Sequence, residues 1–163
     1  MPANENKATQ GFQITREYHG NPRSLRMEIA AIIGQAVMAD ATDPTKGIVA
    51  SGRFEGFLTR PVVDGAPALS DIVFPGRGPL PFTMGHEAQV VLADEVEMEG
   101  EDYIVESGTG ALAAVSAVGK KITPYQGKWR ETQSGEVPFF VVQAVLTSLD
   151  SENSFRIRAT AIR

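Results

Sequence analysis

The sequence predicts a mainly β protein, a small β-barrel or β-sandwich domain preceded by an extended N-terminal arm. Three observations predict it. Sixteen glycines and ten prolines in 163 residues supply frequent turns, which suit short strands better than long helices. Runs of β-branched and aromatic residues recur at roughly 8–12-residue spacing with turn signals between them. Several of those runs alternate apolar and polar residues, as half-buried strands do. A chain of this length fits one domain and buries a sizeable core without covalent staples. The division expected is an arm over residues 1–24 and a single β-rich domain over residues 25–163.

The arm is polar at its start, with Asn4, Glu5, Asn6, Lys7, Thr9 and Gln10, and it is punctuated at its end by Gly20, Asn21 and Pro22. Within it Phe12, Ile14, Arg16 and Tyr18 fall on alternate positions. That period of two suits a strand that adds to a sheet edge, so these four residues are the expected partner-binding set. The expectation is a segment that orders only on its partner. Residues 25–39 support two readings. Leu25, Ile29, Ile32, Ile33 and Ala36 lie at helical spacing, whereas the β-branched content and Gly34 favour strands broken at that glycine. The second reading is preferred. DATDPTKG then reads as a turn.

GIVASGRFEGFLTRPVV alternates in short bursts, with bends expected at Gly52 and Gly56. Five prolines between Pro61 and Pro81 exclude a helix and predict surface loop. Further on, AQVVLA, EVEME and DYIVE read as strands, joined by turns at 99–102 and 107–110. Val96 and Met98 alternate with Glu95, Glu97 and Glu99, which predicts a solvated acidic face. VPFFVVQAVLTS reads as a central strand. SFRIRATAIR closes the chain with Phe155, Ile157, Ala159 and Ala161 on one face and Arg156, Arg158 and Thr160 on the other. The apolar content of PFFVV and FRIRATAIR suggests exposed strand edges, and hence self-association.

Composition excludes several chemistries. There is no cysteine, so disulfides, thiolate metal sites and cysteine nucleophiles are ruled out. A formal charge of −5 disfavours non-specific nucleic-acid binding. No apolar stretch approaches the roughly 20 residues of a membrane helix. The N-terminus lacks the apolar core of a secretory signal, so synthesis in a cytoplasm is expected. Of the two histidines, His19 sits in the arm. His86 has no serine in a nucleophile-elbow pattern among Ser51, Ser70 and Ser107. Asp40, Thr42 and Asp43 open like a calcium loop, but Pro44 and Gly47 break the ligand order and no glutamate closes it. GRGPLP lacks the lysine and hydroxyl ending of a phosphate loop. Trp129 stands alone, with Tyr125 nearby, too few aromatics to floor a sugar cleft. No catalytic residue, metal or cofactor is expected.

Residues 86–163 carry a more particular pattern. An acidic hairpin presents Asp94, Glu95, Val96, Gly100, Glu101 and Tyr103. The step Gly110, Ala111, Leu112 follows, and a terminal strand alternates aliphatic and basic residues. This resembles the capsid-decoration, or head cement, proteins of tailed bacteriophages. The proline-rich loop and the long arm depart from the shortest members of that group. The resemblance implies a structural virion protein on the capsid exterior, a homotrimer bound to the major capsid protein, with an N-terminal arm touching that protein and no catalysis. Other readings stay open. One is another phage part such as a tail-tube, head-completion or fibre-base domain. Others are a small β-barrel enzyme or ligand-binding domain, and a carbohydrate-binding module.

Overall fold

The computed structural model describes residues 11–18, 20, 22–65, 81–149 and 155–163. Among them there are thirteen strands and no helix. In chain order these are β1 Phe12–Glu17, β2 Arg23–Met27, β3 Ala36–Ala39, β4 Lys46–Val49, β5 Gly56–Leu58, β6 Val62–Val63 and β7 Phe82–Thr83. They continue with β8 Glu87–Val91, β9 Ala93–Glu99, β10 Lys121–Tyr125, β11 Lys128–Glu131, β12 Phe140–Thr147 and β13 Phe155–Ala161. Strands β2, β4, β3, β5 and β8 close a barrel. A six-stranded sheet runs β1-β9-β13-β12-β10-β11, and β6 pairs with β7 alone. The expected all-β class is the observed one, in its barrel form.

Two cores share a wall. Leu25, Met27, Val37, Ala39, Leu58 and Val90 fill the barrel. Ala36, Phe57, Val96, Met98, Trp129, Phe140, Ile157 and Ala159 fill the space under the larger sheet. Neighbouring residues of β3 and β5 therefore serve different cores: Val37 and Leu58 point into the barrel, Ala36 and Phe57 out of it. A strand buried on both faces shows no polar alternation. That is why residues 25–39 are ambiguous in sequence; they hold the end of β2 and all of β3, separated by residues 28–35, with Gly34 in the turn that leads into β3. Gly34 takes φ +76°, and a Cβ there would strike the Phe12 ring. Gly47 lies inside the barrel, where a Cβ would collide with Met27 and Leu25.

Several local expectations are corrected. DYIVE is not a strand: Tyr103 and Ile104 both donate backbone N–H groups to the Gly100 carbonyl, and Ile104 makes only an isolated bridge to Trp129. Strand β13 is interior to the sheet, paired along its length with β9 and β12, whereas β12 meets β10 only at Phe140 and Val141, so its second half keeps a side without a ladder partner among the described residues. The proline-rich loop lies mostly outside the described residues, over 66–80. The acidic face of β9 is solvated only in part. Glu95 and Glu97 are half-buried and flank Arg158, but Glu99 is buried, as is Arg156 on β13.

Glu99 and Arg156 face each other in register across β9 and β13, N to O at 3.5 Å. The same carboxylate accepts the Ser148 hydroxyl at 2.7 Å and the Leu149 N–H at 3.1 Å, which ties down the chain leaving β12. Losing one member leaves the other's charge buried, a cost of about 3–5 kcal/mol. Arg156→Met is expected to lower unfolding free energy by that order in urea titration, while Arg158→Met, at the half-exposed neighbouring site, changes it by less than about 1 kcal/mol.

Acid sensitivity arises in the turns. The Thr42 hydroxyl and the Thr42 and Asp43 amides hold the Asp40 carboxyl below its usual range. Thr45 does the same for Asp43 through its hydroxyl and amide. The Gln133 amide, then Arg130, lowers Glu136. Groups depressed on folding contribute stability at pH above their unfolded values, which is lost as pH falls through the folded ones. The melting temperature should therefore hold from neutral pH down to the ordinary carboxylate values of 3.8 and 4.5, and fall below them. A D40N/D43N/E136Q variant should show a shallower acid decline in the same thermal scans.

Candidate interaction edge

Three of the four residues expected to bind a partner, Phe12, Ile14 and Arg16, lie on β1 and Tyr18 follows its end, and their own chain receives most of that strand. β1 pairs antiparallel with β9, from Phe12 opposite Met98 to Glu17 opposite Ala93. β2 then pairs with β8, from Arg23 opposite Val90 to Arg26 opposite Glu87. β8 leads through Leu92 into β9, so one ribbon, β1 then β2, runs alongside β8–β9 from sheet to barrel. The boundary expected at residue 24 is therefore not structural, and residues 12–17 are a strand of the domain. The period of two did mark a strand that adds to a sheet edge. The physical reason for the intramolecular pairing is Phe12, which is 9% exposed, packs tilted at 4.9 Å from Phe57 and stacks at 5.6 Å on Tyr103.

The four residues divide accordingly. Phe12 belongs to the core and Ile14 packs half-buried against it. Arg16 is exposed, and Tyr18 is exposed with the Arg163 guanidinium 4.0 Å over its ring. Arg163 in turn contacts Asp94 at 2.6 Å, which pins the C-terminus beside β1. Thr15 donates its hydroxyl to Glu95 across the pair.

The other side of β1 is a sheet edge among the described residues. The Glu99 N–H bonds to the Gly11 carbonyl, so Phe12 opposite Met98 is a non-hydrogen-bonded pair. The Phe12 and Ile14 amides and carbonyls therefore face outward. Register shifts follow on either side of Arg16, one extra residue on β1 and then one on β9, which increase the local twist. Beside β1 lies a groove of about 540 Å³ whose lining includes Phe12, Ile14 and Tyr18 together with Ile33, Leu58 and Val91. Gln13, Glu17 and Gln89 supply its polar groups.

The remaining sequence candidates stay apart. His86 is exposed in the turn after β7, its amide bonded to the Thr83 carbonyl. Ser51 is exposed near Gln126, and Ser107 is exposed in the segment after β9. His19 and Ser70 lie outside the described residues. Asp40 and Asp43 cap their own turn, and no three metal-binding side chains converge among the described residues. Trp129 is buried at the centre of the larger core and Tyr125 is stacked under Arg130. Sequence reasoning missed the groove because its walls come from residues far apart in the chain.

Comparison with protein-family models, with curated proteins and with solved structures finds no match to the chain.

The division of β1 is testable by stability. Phe12→Ala should cost about 3 kcal/mol or more, as aromatic truncations in cores do. Tyr18→Ala should stay within about 1 kcal/mol. Equal, small losses at both positions in denaturant titration would show that β1 does not contribute to the core.

Proposed function

We propose that this chain is a structural virion protein that decorates the capsid of a tailed phage by binding the major capsid protein, as a homotrimer and without catalysis of its own. The observation that carries the reading is the free edge of β1 beside its groove. It offers outward backbone donors and acceptors at Phe12 and Ile14, next to the exposed Arg16 and Tyr18. An extended segment of a partner gains backbone hydrogen bonds at such an edge and specificity from the side chains flanking it. The sequence resemblance over residues 86–163 supplies the identity of that partner, and that part of the chain includes β9, the strand on which β1 is mounted, followed by a turn at Gly100–Ile104 in place of a hairpin's second strand. On this reading the protein is made in the host cytoplasm and resides on the capsid exterior.

Co-sedimentation with capsids assembled from the major capsid protein of the encoding phage tests the proposal, with imaging of the bound form. Binding at three-fold positions is expected, and R16E/Y18A should weaken it about tenfold with little change in melting temperature. Absence of binding by the wild-type protein would reject the reading. Rings of six on a tail would favour the alternative of a tail component.

A further inference from the structure

A second surface points to self-association. The segment 105–120 carries no strand, and at its tip the Ser116 N–H closes a turn onto the Ala113 carbonyl at 3.0 Å. Val115, within that turn, is 98% exposed, and Val118 is 61% exposed. Ala113 and Ala114 beside them are exposed as well. The turn is anchored, since Ala117 is fully buried and the Gly119 N–H bonds to the Val142 carbonyl at 2.8 Å. A fixed run of apolar side chains held in water is costly unless another surface covers it.

Charge narrows what that surface is. Residues 107–121 contain Lys120 and Lys121 and no acidic residue, in a chain of formal charge −5. Lys120 is paired with Glu131, and Lys121 is exposed. The remainder of the molecule is thus more acidic than the whole, and complementary to this turn. One depression on it combines acidic and apolar lining residues. This depression of about 260 Å³ has Ile104, Val105 and Tyr125 in its lining, with Glu101, Glu106 and Lys128 around them. Exposed Asp102 adjoins it. β10 starts at Lys121, beside the turn, and ends at Tyr125, in the depression, so the two patches lie toward opposite ends of one strand.

We propose that the Val115 turn of one copy seats in the Glu101–Tyr125 depression of the next, with Lys121 against the acidic rim. The contact is head-to-tail, because each copy presents one knob and one socket. Repetition of such a contact closes a ring when the rotation allows and otherwise extends as a filament. This goes beyond the capsid reading and does not depend on it.

Sedimentation equilibrium of the full chain over a concentration series, without capsids, tests it. Wild-type protein should associate. Val115→Asp should weaken association about tenfold or more and leave the melting temperature unchanged, because that side chain is outside the fold. E101K and K121E should each weaken association, and the double variant E101K/K121E should restore it. A wild-type monomer at every concentration would overturn the proposal. So would a V115D variant that associates like wild type, or a double swap no better than either single one.

Discussion

The structure depends on one aromatic cluster that joins its two parts. Phe57 leaves the barrel wall and meets Phe12 at 4.9 Å, Phe54 at 4.7 Å and Trp129 at 5.9 Å. Trp129 then contacts Phe140 edge-on at 5.1 Å, inside the larger sheet. These rings come from β1, β5, β11, β12 and the segment before β5, so burying them requires barrel and sheet to form against each other. Each such pair adds about 0.5–1.5 kcal/mol beyond the area it removes from water. Tyr103 extends the cluster and fixes a loop: its hydroxyl donates to the Ile33 carbonyl at 2.5 Å, and burial, then the nearby Asp102 charge, pushes its ionisation well above the ordinary range.

That shared core explains how two small sheets become one body. A five-stranded barrel of three- to five-residue strands encloses little volume, and Leu25, Met27 and Leu58 fit inside it only beside small residues: Ala39, Ala88 and a glycine at 47. Two of its wall strands, β3 and β5, compensate by being buried on both faces. The six-stranded sheet has the reverse arrangement, with a deep apolar face and a polar outer face where Glu95, Glu97 and Arg158 lie at 3.8–3.9 Å. The ribbon of β1 and β2 against β9 and β8 carries the backbone from one to the other.

What could be read in the sequence follows from these two environments. Half-buried strands of the larger sheet announced themselves: Val96 and Met98 between glutamates, and the alternation of Phe155 to Ala161. β3 did not, because Ala36 and Val37 are buried on opposite faces and the turn residues Ile32 and Ile33 just before it extend the apolar run, so the segment fits either period. Arg156 and Glu99 were placed on a solvated face by the same alternation, which reports the side of a sheet but not what crosses over it. The return of the chain at Ser148 and Leu149 brings hydrogen bonds onto Glu99 that the alternation does not announce. β1 was legible as a strand and not as a member of the domain, since pairing with a strand some eighty residues away leaves no local trace. The groove and the depression were illegible for the same reason.

The exposed features differ in kind from the core and constrain each other. At β1 the edge is twisted by register shifts and rimmed by Arg16 and Glu17, the devices by which strand edges avoid indiscriminate pairing. A partner there must supply a strand of matching twist, which selects for one geometry over general stickiness. The Val115 turn has no such protection. Its alanines and valines offer area without hydrogen-bond direction, so specificity must come from the lysines beside it and from the shape that receives it. Directional backbone pairing on one surface and apolar contact steered by charge on another are separable interactions. Both surfaces are mounted on the aromatic core: Phe12 lends its backbone and groove face to the edge while its ring packs on Phe57 and Tyr103, and Tyr103 fixes the segment that leads to the Val115 turn.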